Sequence, residues 1–157
     1  MVDVEIELLR RMPAFGGLKP AVIDRIYSEA KIVTATAGEF FFHEGDPGES
    51  LFVLESGTVL VTRKRLQDSI QLGRLHAGDC FGEMALIDFR PRSATIVAES
   101  DCHAIEVPRQ SLAMLYKDDI EQYAIIMMNL GREVSRRLRV ADDRLFQLQH
   151  HGLIPSV

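Results

Sequence analysis

The sequence predicts an α+β fold: an antiparallel, jelly-roll-like β-roll of about eight strands, flanked by N-terminal helices and a long C-terminal helix. Three observations carry this. Between Lys31 and Val107 a series of short β-type runs (KIVTATA, EFFFHE, SLFVLE, TVLVTRK, SIQLGRL, ATIVAE and CHAIEV) is separated by Gly, Asp or Pro. Before them, apolar residues recur at helical spacing, and after Pro108 that spacing returns and continues to about Gln149. The chain has 157 residues, 46% of them hydrophobic and 26% charged, which is the length and balance of one folded domain. Residues 1–157 are therefore read as a single domain with helices at 1–30, the roll at 31–108 and helices at 109–150.

In the first part, Ile6, Leu8 and Leu9 cluster, then Val22, Ile23, Ile26 and Ala30 recur at intervals of three and four, behind a Pro20 suited to a first helical turn. In the roll, Val59 and Val61 alternate with Leu60 and Thr62, and Ile105 and Val107 alternate with Ala104 and Glu106, so each strand has a face to bury. The last part is expected to break near Lys117 to Asp119 and then to run as one helix of some thirty residues, about 45 Å long. Along it Ile120, Tyr123, Met127, Leu130, Val134, Leu138, Ala141, Leu145 and Leu148 follow nearly a heptad seam. Such a helix exceeds what a small roll needs for its own core, so part of it is expected to pack on a second copy of the chain. The ending HHGLIPSV is read as a loose terminus.

Composition narrows the function. Eighteen Lys and Arg against 23 Asp and Glu leave a net charge of −5, so an anionic partner must find a local positive site and not a basic surface. The longest weakly polar stretch, Tyr123 to Gly131, is far short of the ~20 residues that span a bilayer, and the acidic start MVDVEIELLRR lacks a secretory pattern. No membrane association and a cytoplasmic location are expected. Cys80 and Cys102 form no CxxC pair and are read as reduced thiols. His43, His76 and His103 lie more than twenty residues apart with no HxH, so neither a metal nor a cupin-type enzyme is expected. No catalytic triad pattern or Gly-Lys phosphate loop stands out, and no catalysis or resident cofactor is predicted.

Chemistry concentrates in residues 81–95, FGEMALIDFRPRSAT. Gly82 allows close backbone approach, and Glu83 to Leu86 favour a helical turn whose free N–H groups suit an anion. Arg92, ten residues after Gly82 and held behind Pro91, can fork onto two phosphate oxygens. Glu83 is costly beside a phosphate unless it accepts from a donor such as a ribose hydroxyl, much as an acid reads ribose in dinucleotide folds. By spacing alone, a surface Glu–Arg pair capping a short helix fits equally well.

This stretch resembles the phosphate-binding cassette of cyclic nucleotide-binding domains: FGE, an apolar residue, AL, and a short loop ending in PR and small residues. Upstream, GEFFFHEGDPGESLFVLESG, with Gly38, Gly45 and Gly57 at its turns, is similar to that family's strand-and-turn signature. The resemblance covers roughly residues 5–148. It implies that Glu83 accepts from the ribose 2′-hydroxyl, that Arg92 pairs with the cyclic phosphate, and that the backbones of Gly82 and Ala85 approach ribose and phosphate. It further implies that Ser93 offers its amide and hydroxyl to the phosphate. Val61 and Leu72 take positions that wall the purine in the family, and plain core packing is their alternative.

The final helix resembles that of the catabolite activator type, where small polar side chains contact adenine; here those positions hold Ala141 and Asp142, a departure from the pattern. Asp142 is able to accept from the adenine amine or from guanine N1 and N2, or to be a solvated charge. Arg132, Arg136 and Arg139 either stack on the base or face water. The reading is a sensor for cyclic AMP, with cyclic GMP the alternative, that relays binding through its last helix to a partner subunit or unknown effector. A ligand-free interaction module is the competing class. With nine residues after Leu148, a DNA-reading helix-turn-helix, and hence DNA binding, is not expected.

Overall fold

The computed structural model describes residues 4–155. The start of MVDVEIELLRR and the last two residues of HHGLIPSV lie outside the described residues. In order the elements are α1 (Val4–Arg11), a 3-10 turn (Pro13–Phe15), α2 (Pro20–Glu29), β1 (Lys31–Ala35), β2 (Phe40–Phe42), β3 (Ser50–Ser56) and β4 (Thr58–Arg65). Then follow β5 (Asp68–His76), β6 (Cys80–Phe81), α3 (Met84–Asp88), β7 (Thr95–Ala98), β8 (Cys102–Pro108), α4 (Arg109–Asp118) and α5 (Ile120–His150). The helix–roll–helix order is as expected, and Pro20 opens α2. Strand β6, with two residues, is too short to show a period and escaped the sequence reading.

The strands form two antiparallel sheets, ordered β1-β8-β3-β6 and β2-β7-β4-β5. Between them lies one core: Ala35, Phe52, Leu54, Phe81 and Ala104 from the first sheet meet Val59, Ile96 and Ala98 from the second. The other face of the first sheet is covered by helices, which pack Leu9, Phe15, Ile23, Ile26, Ile126 and Leu130 on Leu51, Val53, Ile105 and Val107. That sheet is thus buried on both sides, which is why the run from Ser50 to Leu54 is continuously buried and why Ala104, expected on the polar side of an alternating strand, is fully enclosed. The second sheet turns its outer face to solvent, and β5 at its edge is mostly exposed.

The expected break before the last helix occurs at Asp119, whose φ of −152° and ψ of 83° leave the helical region and whose side chain caps α5 by accepting from Gln122 N at 3.3 Å. The seam differs from expectation. The face of α5 buried in the core is Gln122, Ile126 and Leu130. Of the predicted seam residues, Leu130 is fully buried and Tyr123 and Met127 are partly buried against the core, while Ile120, Leu138, Ala141, Leu145 and Leu148 are exposed. The first half of the helix spends its apolar stripe on the domain's own core, and only the second half leaves one uncovered.

Candidate functional site

The cassette is built where β6 ends. Phe81 and Cys80 pair with Phe52 and Val53 of β3, which anchors the chain immediately before Gly82. Gly82 sits at φ +82°, and a Cβ there would lie 2.5 Å from Arg92 Nη1 and 3.1 Å from Ser50 O. Both the conformation and the contact require glycine. The chain then turns through α3, which ends at Phe89 in the left-handed region, with Phe89 N donating to Ala85 O at 3.1 Å. The predicted single helical turn is therefore present.

Arg92 is brought to Gly82 by the upstream motif. Its backbone N donates to Asp46 O at 2.8 Å and its carbonyl accepts from Gly45 N at 2.9 Å, while Glu44 N donates to Thr95 Oγ1 at 2.9 Å. The two signatures, some forty residues apart, meet in these bonds. The side chain is 6% exposed. Nη1 donates to Gly82 O at 3.0 Å, Nη2 lies 3.3 Å from Ser50 Oγ, and Cζ lies 4.1 Å from the centre of the Phe42 ring. Ser50 Oγ in turn reaches Glu106 Oε1 at 2.8 Å. No carboxylate forms a direct ion pair with Arg92 among the described residues, and its Nε is buried without a partner. Burial pulls its pKa below the ordinary arginine range, with Glu106 opposing.

Glu83 is 3% exposed and does not pair with Arg92. The surface-pair alternative is excluded: both groups are buried, and Glu83 makes no side-chain cap on α3. Its Oε1 instead accepts from Arg137 Nη1 of α5 at 2.8 Å. Arg137 also donates to the Cys80 carbonyl and, through Nε, to Glu133 Oε1 at 3.1 Å. Burial raises the Glu83 pKa, and the Arg137 charge works against that rise. Arg137, lowered by burial, is raised further by Glu83 and comes out above its ordinary value. Burial, with Glu83 beside it, pushes the Cys80 thiol to about 12 and so makes it inert.

This has a consequence for stability. A carboxyl whose folded pKa lies above its usual 4.5 holds its proton better when folded, so its contribution is fully present below that value and declines as pH rises through the elevated one. The difference in melting temperature between the native protein and Glu83→Gln should therefore fall as pH rises from about 4 to about 7. A difference that grows with pH would mean that the ion pair outweighs burial.

Arg137 is the residue that sequence reasoning passed over in favour of Arg132, Arg136 and Arg139, which are exposed, with Arg132 bonded to Asn129 and Arg136 to Glu133. Its signal was positional: it continues the buried stripe of Ile126 and Leu130 through Glu133. Of the other predicted residues, Ala85 is buried in α3, and Ser93 is exposed with its hydroxyl 3.6 Å from Met84 Sδ. Val61 packs half-buried on the inter-sheet core. Leu72 is 48% exposed at a bulge, left unpaired where Val61 faces Gly73 and Thr62 faces Gln71. Asp142 is exposed on α5, although Arg144 nearby donates to Leu72 O at 3.2 Å. The structure thus assembles Gly82, Glu83, Ala85, Arg92 and Ser93 and does not bond Leu72 or Asp142 to them. Among the described residues, no group of three or more His, Cys, Asp or Glu is placed to hold a metal ion, and no helix is long and apolar enough to cross a membrane.

Residues 32–119 match the family model for the cyclic nucleotide-binding domain. The chain is 33% identical over 135 residues to the cyclic AMP receptor protein of Thermus thermophilus, covering 85% of this chain and 61% of that protein. It is 30% identical over 107 residues to the cAMP-dependent protein kinase regulatory subunit of Emericella nidulans, covering 68% of this chain and 26% of that one. The chain thus spans less than two thirds of either relative. A cyclic nucleotide-binding domain from Methylobacillus flagellatus has the same fold, with a TM-score of 0.79 at 24% identity over 90% of this chain and 80% of that one. With a matching family model over a buried arginine, a buried glutamate and the glycine that precedes it, the chain belongs to the cyclic nucleotide-binding domain family of regulatory modules.

Proposed function

We propose that the domain binds a cyclic mononucleotide, cyclic AMP before cyclic GMP, and passes the binding event through α5 to a partner. The observation that carries this is Arg92, a buried guanidinium without a carboxylate partner among the described residues and with an unpartnered Nε. Burying a charge alone is costly, and a cyclic phosphate would supply the missing anion. Ser93 and the Gly82–Ala85 backbone are the further phosphate and ribose contacts, Val61 and Leu72 the purine wall, and Asp142 the candidate base reader. The preference for cyclic AMP rests on what the Thermus and Emericella relatives are named for.

The relay runs through Glu83. Its Oε1 holds Arg137, and with the carboxylate also accepting from a ribose hydroxyl, a bound nucleotide and α5 would share it. The ligand shifts α5 only as far as its affinity differs between the two helix positions. The partner nearest to hand is a second copy of the chain. Met128, Gly131, Ser135, Leu138, Asp142, Leu145 and Gln149 follow the alternating three- and four-residue steps of a two-stranded seam. Leu138 and Leu145 are 59% and 45% exposed. Leu138→Asp should convert a dimer to a monomer in light scattering, and an unchanged mass would remove the seam. A cytoplasmic site of action completes the reading, in keeping with two free thiols, Cys80 and Cys102.

Parallel calorimetric titrations with cyclic AMP, cyclic GMP and the open-ring 5′-monophosphates test the whole. Saturable binding of a cyclic form, tighter than its open counterpart, is expected. No heat with any of them would leave the domain as an interaction module.

A further inference from the structure

We propose that Arg109 is the positioning residue of the cassette: its guanidinium brackets the upstream loop and α3, and so sets nucleotide affinity without touching the nucleotide. This rests on the nucleotide-binding reading above. Arg109 is the first residue of α4, and its backbone N donates to Glu49 O at 2.8 Å. Its Nη2 donates to Gly48 O and lies 3.5 Å from Ala85 O, and its Cζ is 5.2 Å from the Phe89 ring centre. One planar group therefore reaches the loop, the cassette helix and the residue that ends that helix.

The joint it spans is a close one. A Cβ on Gly48 would lie 2.1 Å from Ala85 Cβ, so loop and helix meet there with no side chain between them. The same loop holds Arg92 through Gly45 and Asp46, and Ala85 O is also the acceptor that closes α3. Any slip between Gly48 and Ala85 therefore moves the Arg92 guanidinium relative to Gly82 and Glu83. Arg109 forms no ion pair among the described residues, and its Nε is buried without a partner, so surface charge pairing does not account for it. It also couples the cassette to the helices: Arg109 begins α4, Asp119 links α4 to α5, and Arg137 returns from α5 to Glu83. The cassette is held between two arginines of one helix pair.

The test compares the native protein with Arg109→Met and Arg109→Lys. In the nucleotide-free protein, Arg109→Met should speed amide hydrogen exchange at Leu86 and Phe89 while Val53 and Ile105 in the central sheet keep their protection. Its cyclic AMP affinity should fall about tenfold, the effect of one lost charge-assisted hydrogen bond. Arg109→Lys, which keeps a donor to Gly48 O, should recover part of both. Native exchange at α3 in Arg109→Met overturns the proposal, as does exchange that rises equally across the roll, which would mark a general stability role. The exchange readout needs no ligand, so a native protein that binds no cyclic nucleotide sinks the functional reading alone and leaves the bracket to be judged by Leu86 and Phe89.

Discussion

Arg92→Ala is expected to weaken cyclic nucleotide binding by about 2–4 kcal/mol, roughly 30- to 1000-fold in Kd, because the cyclic phosphate would be left in a dry site without its counter-charge. The guanidinium is held in place beforehand by Gly82 O, Ser50 Oγ and the face of Phe42, so little ordering cost is left for binding to meet. The fold should tolerate the change better than the ligand does. Removing the side chain loses packing against Phe42 and Phe52, and it also relieves the burial of a charge that no carboxylate pairs directly. Urea denaturation should move by less than about 2 kcal/mol while calorimetry shows the affinity loss. Glu83→Gln should lose less affinity, since an amide oxygen still accepts one hydrogen bond. Equal affinity for native and Arg92→Ala protein would remove the phosphate role.

Arg137→Met should show the opposite profile, a large loss of stability. Glu83 would stay buried without its cation, and the Cys80 carbonyl would lose a donor. Breaking a fully buried pair from one side costs about 3–5 kcal/mol, and because the Arg137 side chain is 27% exposed a smaller loss, about 2–3 kcal/mol, is expected. Adding Glu83→Gln should recover part of this, since a neutral amide needs no counter-ion, and a double-mutant cycle in urea measures that recovery directly. A single variant as stable as the native protein, or a double variant whose losses simply add, would show that Glu83 and Arg137 do not act as a pair. The link from cassette to α5 would then be lost.

Local signals carried much of the site into the sequence. Positive-φ turns at Gly38, Gly45 and Gly57 and the Gly82-to-Arg92 spacing depend on residues close in the chain, and each is found where it was expected. The pairing of Glu83 with Arg137 was not legible, because it depends on which side chain of a distant helix arrives beside Glu83. Five arginines lie along α5, and only its rotation on the core, set by Ile126 and Leu130 docking on the first sheet, decides that Arg137 points inward. The same rotation splits the predicted seam into a core half and an exposed half. The resemblance places Leu72 at a purine wall, and the bulge at which it stands 48% exposed has no local signal in the strand pattern.

By itself the sequence determined the order of helices and strands, the glycine turns and the chemical content of the cassette, since periodicity and backbone preference act over a few residues. The tertiary structure alone decided which charges are buried, which partner each takes and which face of α5 remains free. Those outcomes depend on desolvation and on the docking of a helix whose Arg137 lies 54 residues from Glu83, and no local pattern encodes either.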